Sequence, residues 1–315
     1  MTDVAAKGAD MPLVSIVTPT YNQADYLAET IESVLAQTYP AIEYIVVDDG
    51  STDGTRDVLA SFEGRIAWSS QPNAGQVRTL NAAWERCTGQ YLTYLSSDDL
   101  LHPEAIARLV QHLERNPEAA CVFPDADLID STSKVVRGQV CRPFDLQALI
   151  VEQECHIGPG ALWRQSVHKA VGGWRPDLRL APDREFWMRV ARLGRIDFLP
   201  EVLAGYRLHP QSISYKVVSE AASMEYLQVL DAYFAAGVGP GIAERRDEAY
   251  GRAHLLIARN CYRGRDFAAG NRHYSEARRL HRPLGGLRYR VQIVRTVLSK
   301  PIRATLARLR ALVPG

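Results

Sequence analysis

Two apolar runs that end in carboxylates, IEYIVVDDGSTDGT at 42–55 and YLTYLSSDDLLHPE at 91–104, constrain this chain more than any other feature. A run of strand length closed by acids and a Gly or Pro turn reads as a buried strand delivering its acids to a carboxyl-terminal edge. The opening run LVSIVTPTYN at 13–22 has the same form without the acids. Strands this continuously apolar are covered on both faces, as in a parallel sheet. In open sheets of that kind ligands bind beyond the carboxyl ends of the strands.

Between the runs, helical spacing recurs. Leu27, Ile31, Val34 and Leu35 predict a helix near 24–37, and Ser51, Thr52 and Asp53 offer N-caps for another near 53–62. A short strand near 65–69, the loop 71–75 and a helix near 76–87 return the chain to the strand at 91–96. The alternation predicts an α/β domain with a mostly parallel, Rossmann-like central sheet and helices on both faces. From 119 to 215 the order is less regular: a strand near 119–124, the Gly-rich HIGPGALW, the turn VGGW and a helix over DREFWMRVARLG at 183–194. Past 218 the chain turns helical, and Ala253 to Ala277 resembles a single tetratricopeptide-like hairpin. The expected division is a flexible tail over 1–11, an α/β domain over 12–217 and a helical region over 218–315.

With 315 residues and 46% hydrophobic composition the chain can bury a full core. Net charge is only +1, but no Asp or Glu follows Glu276 while arginines crowd the segment behind it. Five cysteines form an odd set without CxxC spacing, and MTDVAAKGAD lacks a signal-like apolar stretch. A reduced, cytoplasmic setting is therefore expected. No apolar run approaches the roughly 20 residues that span a bilayer, so no membrane-spanning segment is predicted.

The motifs VSIVTPTYN, VVDDGSTDGT, NAGQVRTLNAAWERCTGQYLTYLSSDD, VGGW, PDREFW and YRLHPQSIS occur in this order. Together they resemble the family 2 inverting glycosyltransferases of GT-A fold over roughly 12–215. The resemblance implies a metal-dependent transfer of sugar from a nucleoside-diphosphate sugar, a UDP-sugar favoured, to a hydroxyl of a glycan, lipid-linked glycan or protein. Assembly of cell-surface polysaccharide, lipopolysaccharide or glycoconjugate is the implied setting.

It also implies roles. Asp49 would face the nucleobase, where a carboxylate can accept the N3–H of uracil; Thr18, Pro19 and Tyr21 would line the same pocket. Asp48 reads as a cap. Ser97-Asp98-Asp99 stands at the family's DxD position, with Ser97 in place of the first acid. Asp99 would ligate Mg²⁺ or Mn²⁺, whose hard character suits carboxylates and phosphates, and Asp98 would contact ribose or sugar. His209 would bind the metal or a phosphate oxygen, Arg207 would neutralise phosphate charge, and Asn81 would brace the donor loop. Asp183 would be the general base, with Pro182 replacing the first acid of the frequent Glu-Asp pair. Trp174 and Trp187 read as core rather than sugar platforms. The scheme requires Asp49, Asp99 and Asp183 to serve one cleft.

The arm over 285–311, with its apolar residues among arginines, reads either as a helix packed on the domain with a solvated charged face or as a contact with an anionic membrane surface, which would give a peripheral place on the cytoplasmic face of the inner membrane. Nucleic acid is not expected, for want of a binding motif. Two rivals stand beside the transferase. A sugar nucleotidyltransferase would need a Gly-rich phosphate loop where Thr18–Asn22 lies, and a noncatalytic nucleotide-sugar sensor would have no need of all three acids.

Overall fold

A computed structural model describes residues 11–209, 212 and 217–297. Of the expected tail, residues 1–10 lie outside that description. The chain forms two compact units: one from Met1–Phe144, His156–Asp177 and Arg189–Ser212, the other from Asp145–Cys155, Leu178–Met188 and Ile213–Gly315.

The first unit is built on one sheet. Strands β1 (Val14–Thr20), β2 (Ile42–Asp48), β3 (Ala67–Ser70) and β4 (Tyr91–Tyr94) run parallel in the order β3-β2-β1-β4. Every residue of β1 is buried, as a strand flanked by two neighbours and covered on both faces must be. Helix α1 (Leu27–Leu35) buries Leu27, Thr30, Ile31 and Val34, the i, i+3, i+4, i+7 stripe of an amphipathic helix. Helices α2 (Thr55–Ser61) and α3 (Gln76–Trp84) complete the parallel crossovers. The expected alternation is present, with ends moved by a few residues.

Beyond β4 the sheet changes character. The two-residue β5 (Leu100–Leu101) and helix α4 (Ala105–Arg115) lead to the long β6 (Ala119–Ile129), which carries the short hairpin strand β7 (Val135–Arg137). Strand β8 (Leu162–Arg164) is antiparallel to both β4 and β6 and is followed by α5 (Gln165–Val171). Strand β9 (Arg195–Arg207) runs parallel to β6, with shifts of register at Pro124/Asp125 and Asp125/Ala126. Such bulges bend and twist a strand pair. The far half of β9 thereby pairs with β5, Leu100 opposite Gly205 and Leu101 opposite Ala204, so β9 ends beside the acids that precede β5.

The second unit gathers a π-helical turn at Ala148–Glu152, the start of α6 (Pro182–Val190), and the helices α7 (Glu220–Ser223), α8 (Glu225–Ala235), α9 (Pro240–Ala243), α10 (Arg246–Arg263) and α11 (Phe267–Leu280). The expected C-terminal hairpin is α10 and α11, packed through Leu255, Ala258, Tyr262 and Ala277. Two internal segments, 145–155 and 178–188, cluster with these helices. Polar links explain this: Arg184 donates to the Gln153 carbonyl at 2.8 Å, and the backbone at 179–181 donates to Glu225. Among the described residues no helix is long and apolar enough to cross a membrane.

Candidate active site

The carboxyl ends of β1 and β2 make the first corner of the site. Thr18 and Pro19 are buried in β1, with the Thr18 hydroxyl accepting from Tyr44 at 3.1 Å, while Tyr21 is 47% exposed. The chain turns after β1 through Asn22 in the left-handed region (φ 53°), whose N–H donates to Ser51 Oγ and whose Oδ1 accepts from the Thr52 N–H. Asp53 adds a bond from the Ala24 N–H. The loops after the two strands are thus tied to each other.

Asp48 and Asp49 diverge. Asp48 is fully buried and accepts from the Ser51 N–H, Ser70 hydroxyl and Arg56 guanidinium; it closes the turn after β2 and does not cap α2, whose N-cap position is Gly54. Burial works against its charge, but these hydrogen bonds outweigh it and hold the carboxyl below its ordinary range. Asp49 points to the loop 71–75, accepting from Gln71 Nε2 at 3.0 Å and from the Ala74 and Gly75 N–H groups at 2.8 Å each. A carboxylate has about four lone-pair sites, so one acceptor direction remains. Gly50 (φ 80°) allows the approach: a Cβ there would stand 2.8 Å from the Asn73 nitrogen.

The second corner follows β4. Asp99 is 4% exposed; its Oδ1 accepts from the Arg207 N–H at 2.9 Å, and its carbonyl accepts from Thr30 in α1. Burial, and then the charge of Asp98, push the Asp99 carboxyl well above its ordinary range, with the Arg207 N–H and charge opposing. Asp98 is half-buried and its Oδ2 meets His209 Nε2 at 2.9 Å. The imidazole is buried against Tyr26, ring centroids 4.4 Å apart, and its Nδ1 has no partner among the described residues. His209 is brought to the Asp98–Asp99 pair from 111 positions away in the chain.

Arg207 is placed otherwise than a phosphate ligand would be. It is fully buried, and its guanidinium donates to the Asp98 carbonyl, the Asp130 carbonyl, Ser133 Oγ and Glu29 Oε2. With its N–H on Asp99 and its Nε on the Asp98 carbonyl, it braces the acid corner from behind. Glu29 and Ser133 carry no motif and were not expected there.

Asn81 does brace a loop. Its Nδ2 donates to the Trp174 carbonyl at 2.7 Å and its Oδ1 accepts the Trp174 N–H at 2.9 Å. A Cβ at Gly173 would collide with the same amide, which explains the second glycine of VGGW. Trp174 and Trp187 are both buried, as core residues.

Asp183 belongs to the second unit, at the start of α6. It is half-buried, and burial raises its carboxyl above the ordinary range against the Arg184 charge and the N–H groups of Arg184 and Asp183. A base whose proton affinity lies above that of free Asp is better matched to accepting a hydroxyl proton.

Among the described residues no three or more His, Cys, Asp or Glu side chains are arranged to hold a metal by themselves. The donors at the second corner nonetheless fit an open site for a divalent cation. Two carboxylates repel each other there beside a buried imidazole nitrogen that has no partner among the described residues, and such cations take further ligands from phosphate and water.

Comparisons with known proteins agree with this architecture. The Glycosyl transferase family 2 profile matches residues 15–172, half of the chain. An uncharacterised glycosyltransferase of Rickettsia typhi is 30% identical over 223 residues, covering 69% of this chain and 70% of that protein. TuaG of Bacillus subtilis, whose name assigns it to teichuronic acid biosynthesis, is 32% identical over 216 residues, 64% of this chain and 82% of its own. Among solved structures, Staphylococcus aureus TarS 1–349 in complex with UDP-GlcNAc superposes with a TM-score of 0.57 at 17% identity, covering 85% of this chain and 92% of that one. The Pyrobaculum calidifontis mannosyltransferase PcManGT with GDP-Man and Mn²⁺ gives 0.56 at 21% identity, covering 99% and 91%. The fold is GT-A, and the chain belongs to the family 2 glycosyltransferases.

Proposed function

We propose that this glycosyltransferase takes a sugar from a nucleoside-diphosphate sugar, UDP-linked by preference, and passes it with inversion to a hydroxyl acceptor. The observation that carries the reading is the pair of corners on the two parallel strands that flank β1: Asp49 after β2, with one acceptor direction left, and the Asp98–Asp99–His209 group after β4. Two such corners at one sheet edge suit a ligand with a base at one end and a diphosphate at the other. The sugar nucleotides held by TarS and PcManGT support the donor class, and the Mn²⁺ in PcManGT supports the cation.

Asp49 accepts a base N–H, between Thr18, Pro19 and Tyr21. Asp99, with His209, would hold Mg²⁺ or Mn²⁺, and Asp98 orients the ribose or sugar while keeping the imidazole in place. When bound, the cation neutralises the charge that builds on the departing diphosphate. Asp183 takes the proton of the acceptor hydroxyl as its oxygen bonds to the anomeric carbon and the bond to the diphosphate oxygen breaks. One such displacement inverts the carbon. Arg207 and Asn81 act behind this chemistry, fixing the acid corner and the loop at Trp174. The name of TuaG supports a cell-surface polysaccharide setting.

A panel of UDP- and GDP-sugars with Mn²⁺, read as release of free nucleoside diphosphate, tests the reading. Turnover lost in Asp99→Ala is expected; nucleotide binding without turnover on any donor would instead favour a sensor, and formation of a sugar nucleotide from sugar phosphate a nucleotidyltransferase.

The C-terminal arm bears on location. Residues 287–297 are helical; Ile293 joins the core of α10 and α11 with Tyr289 and Val297 packed on it, while Leu287, Val291 and Val294 are exposed beside Arg288 and Arg295. That division supports both a packed helix and a cationic, apolar face for an anionic bilayer on the cytoplasmic side. The rest of the arm, from 298, lies outside the described residues. Flotation with vesicles containing anionic lipid, compared with and without residues 283–315, separates the two: recovery that is equal in both argues for packing alone.

A further inference from the structure

Within the second unit, the three residues that precede the first turn of α6 each present an N–H group to one acceptor. Arg179, Leu180 and Ala181 donate to Oε2 of Glu225, at 2.8, 2.6 and 3.3 Å. Glu225 opens α8 and is buried, 7% exposed. Next in the chain comes Pro182, which has no N–H, and then Asp183 in the first turn of α6. Glu225 thus gathers the backbone donors of the segment that leads into α6, up to the residue before the proline. The next residue of α8 takes part as well: Arg184 lies over the Tyr226 ring, 5.4 Å from its centroid, while its Nη1 reaches the Gln153 carbonyl.

A buried carboxylate is a costly way to fill space, and an apolar side chain would serve if packing alone were at stake. Three charge-assisted bonds from consecutive amides fix the direction of a backbone in a way that packing does not. The backbone so fixed leads directly into Asp183. We propose that Glu225 is a positioning residue for glycosyl transfer: by gathering the amides of 179–181 it sets the angle at which α6 begins and hence the place of the Asp183 carboxylate. The inference rests on Asp183 being the base, and it makes the C-terminal helices part of the catalytic apparatus rather than an appendage.

The test uses the full chain with Glu225→Ala, Glu225→Gln and Asp183→Asn. Its first readouts need no donor: hydrogen exchange of amides 179–184, and the carboxyl titration of Asp183 followed by ¹³C NMR, its resonance identified by loss in Asp183→Asn. In Glu225→Ala the amides of 179–184 exchange about tenfold faster or more, with α10 and α11 unchanged, and the Asp183 titration moves. Glu225→Gln, which keeps an acceptor oxygen, stays near wild type. Binding of UDP with Mn²⁺ changes by no more than about twofold, while kcat on the UDP-sugar panel falls about tenfold or more at unchanged KM. Wild-type exchange and titration in Glu225→Ala overturn the proposal, and so does a uniform rise of exchange across the unit, which marks a purely structural acid. Wild-type turnover in Asp183→Asn sinks the base reading instead, leaving the role of Glu225 in ordering the turn to be read from exchange alone.

Discussion

The two acidic corners stand at equivalent places, just past the carboxyl ends of parallel strands in one sheet, and the protein treats them in opposite ways. Asp49 receives three donors, two of them backbone N–H groups of the loop 71–75. Asp99 receives one backbone N–H and has a like charge as its neighbour. The first carboxylate is anchored by the protein and shapes a wall. The second is held where burial and a like charge disfavour ionisation. Identical side chains after similar strands thus acquire different chemistry from what surrounds them.

The contrast can be broken most forcefully at Asp99. Asp99→Asn is expected to lower Mn²⁺-dependent turnover by about 10³-fold or more, the several kcal/mol that charge neutralisation at the leaving group contributes. Steady-state release of UDP measures it, and a variant within about tenfold of wild type would remove the cation from this corner. Asp183→Asn serves as the control outside both corners, with a loss of about 10²- to 10³-fold in kcat and little change in nucleotide affinity. At the first corner, Asp49→Ala leaves two backbone donors without their acceptor and Gln71 with Thr79 alone, so UDP binding weakens about tenfold to a hundredfold and stability falls by about 1–3 kcal/mol. Calorimetry and thermal unfolding read both, and a stability loss without any loss of affinity would make Asp49 a loop anchor alone.

Two smaller effects sharpen the account. Asn81→Ala strips the bonds from the Trp174 N–H and carbonyl and should lower stability by about 1–3 kcal/mol with donor affinity affected less than in Asp49→Ala. The pH dependence of kcat comes last. Because burial raises the Asp183 carboxyl and only the ionised form accepts a proton, rate should climb as pH rises through that elevated value and fall below it. Arg184 opposes the elevation, so Arg184→Ala should move the acid limb to higher pH; a limb displaced downward, or unmoved, would contradict the electrostatic assignment.

The half of the sheet that carries the first corner was legible in the sequence, because unbroken apolar strands and helical spacing are local signals. β1 to β4 fall where the runs at 13–18, 42–48, 65–69 and 91–96 predict them, with ends shifted by a few residues. The other half was not, since its shape comes from bulges in β6 and β9 and from antiparallel β8, which no local pattern announces. Motif order brought Asp98, Asp99 and His209 to attention, yet the bond between Asp98 and His209 spans 111 positions and depends on where β9 ends. Arg207 shows the limit best: a tail arginine suggests phosphate, and only packing reveals that Glu29 and the backbone of Asp98 and Asp130 take its guanidinium. Glu225 had no signal at all, for its ligands are main-chain amides that any residues could supply.

The central claim is that the two corners form the base end and the cation end of one donor site. Titration of UDP and GDP into wild type, Asp49→Ala and Asp99→Asn, each with and without Mn²⁺, tests it most directly. The account predicts that Mn²⁺ strengthens nucleoside diphosphate binding in wild type and in Asp49→Ala, which binds more weakly under both conditions, and that Asp99→Asn removes the Mn²⁺ effect. Binding that is indifferent to Mn²⁺ in wild type, or an Mn²⁺ effect that persists in Asp99→Asn, would contradict it.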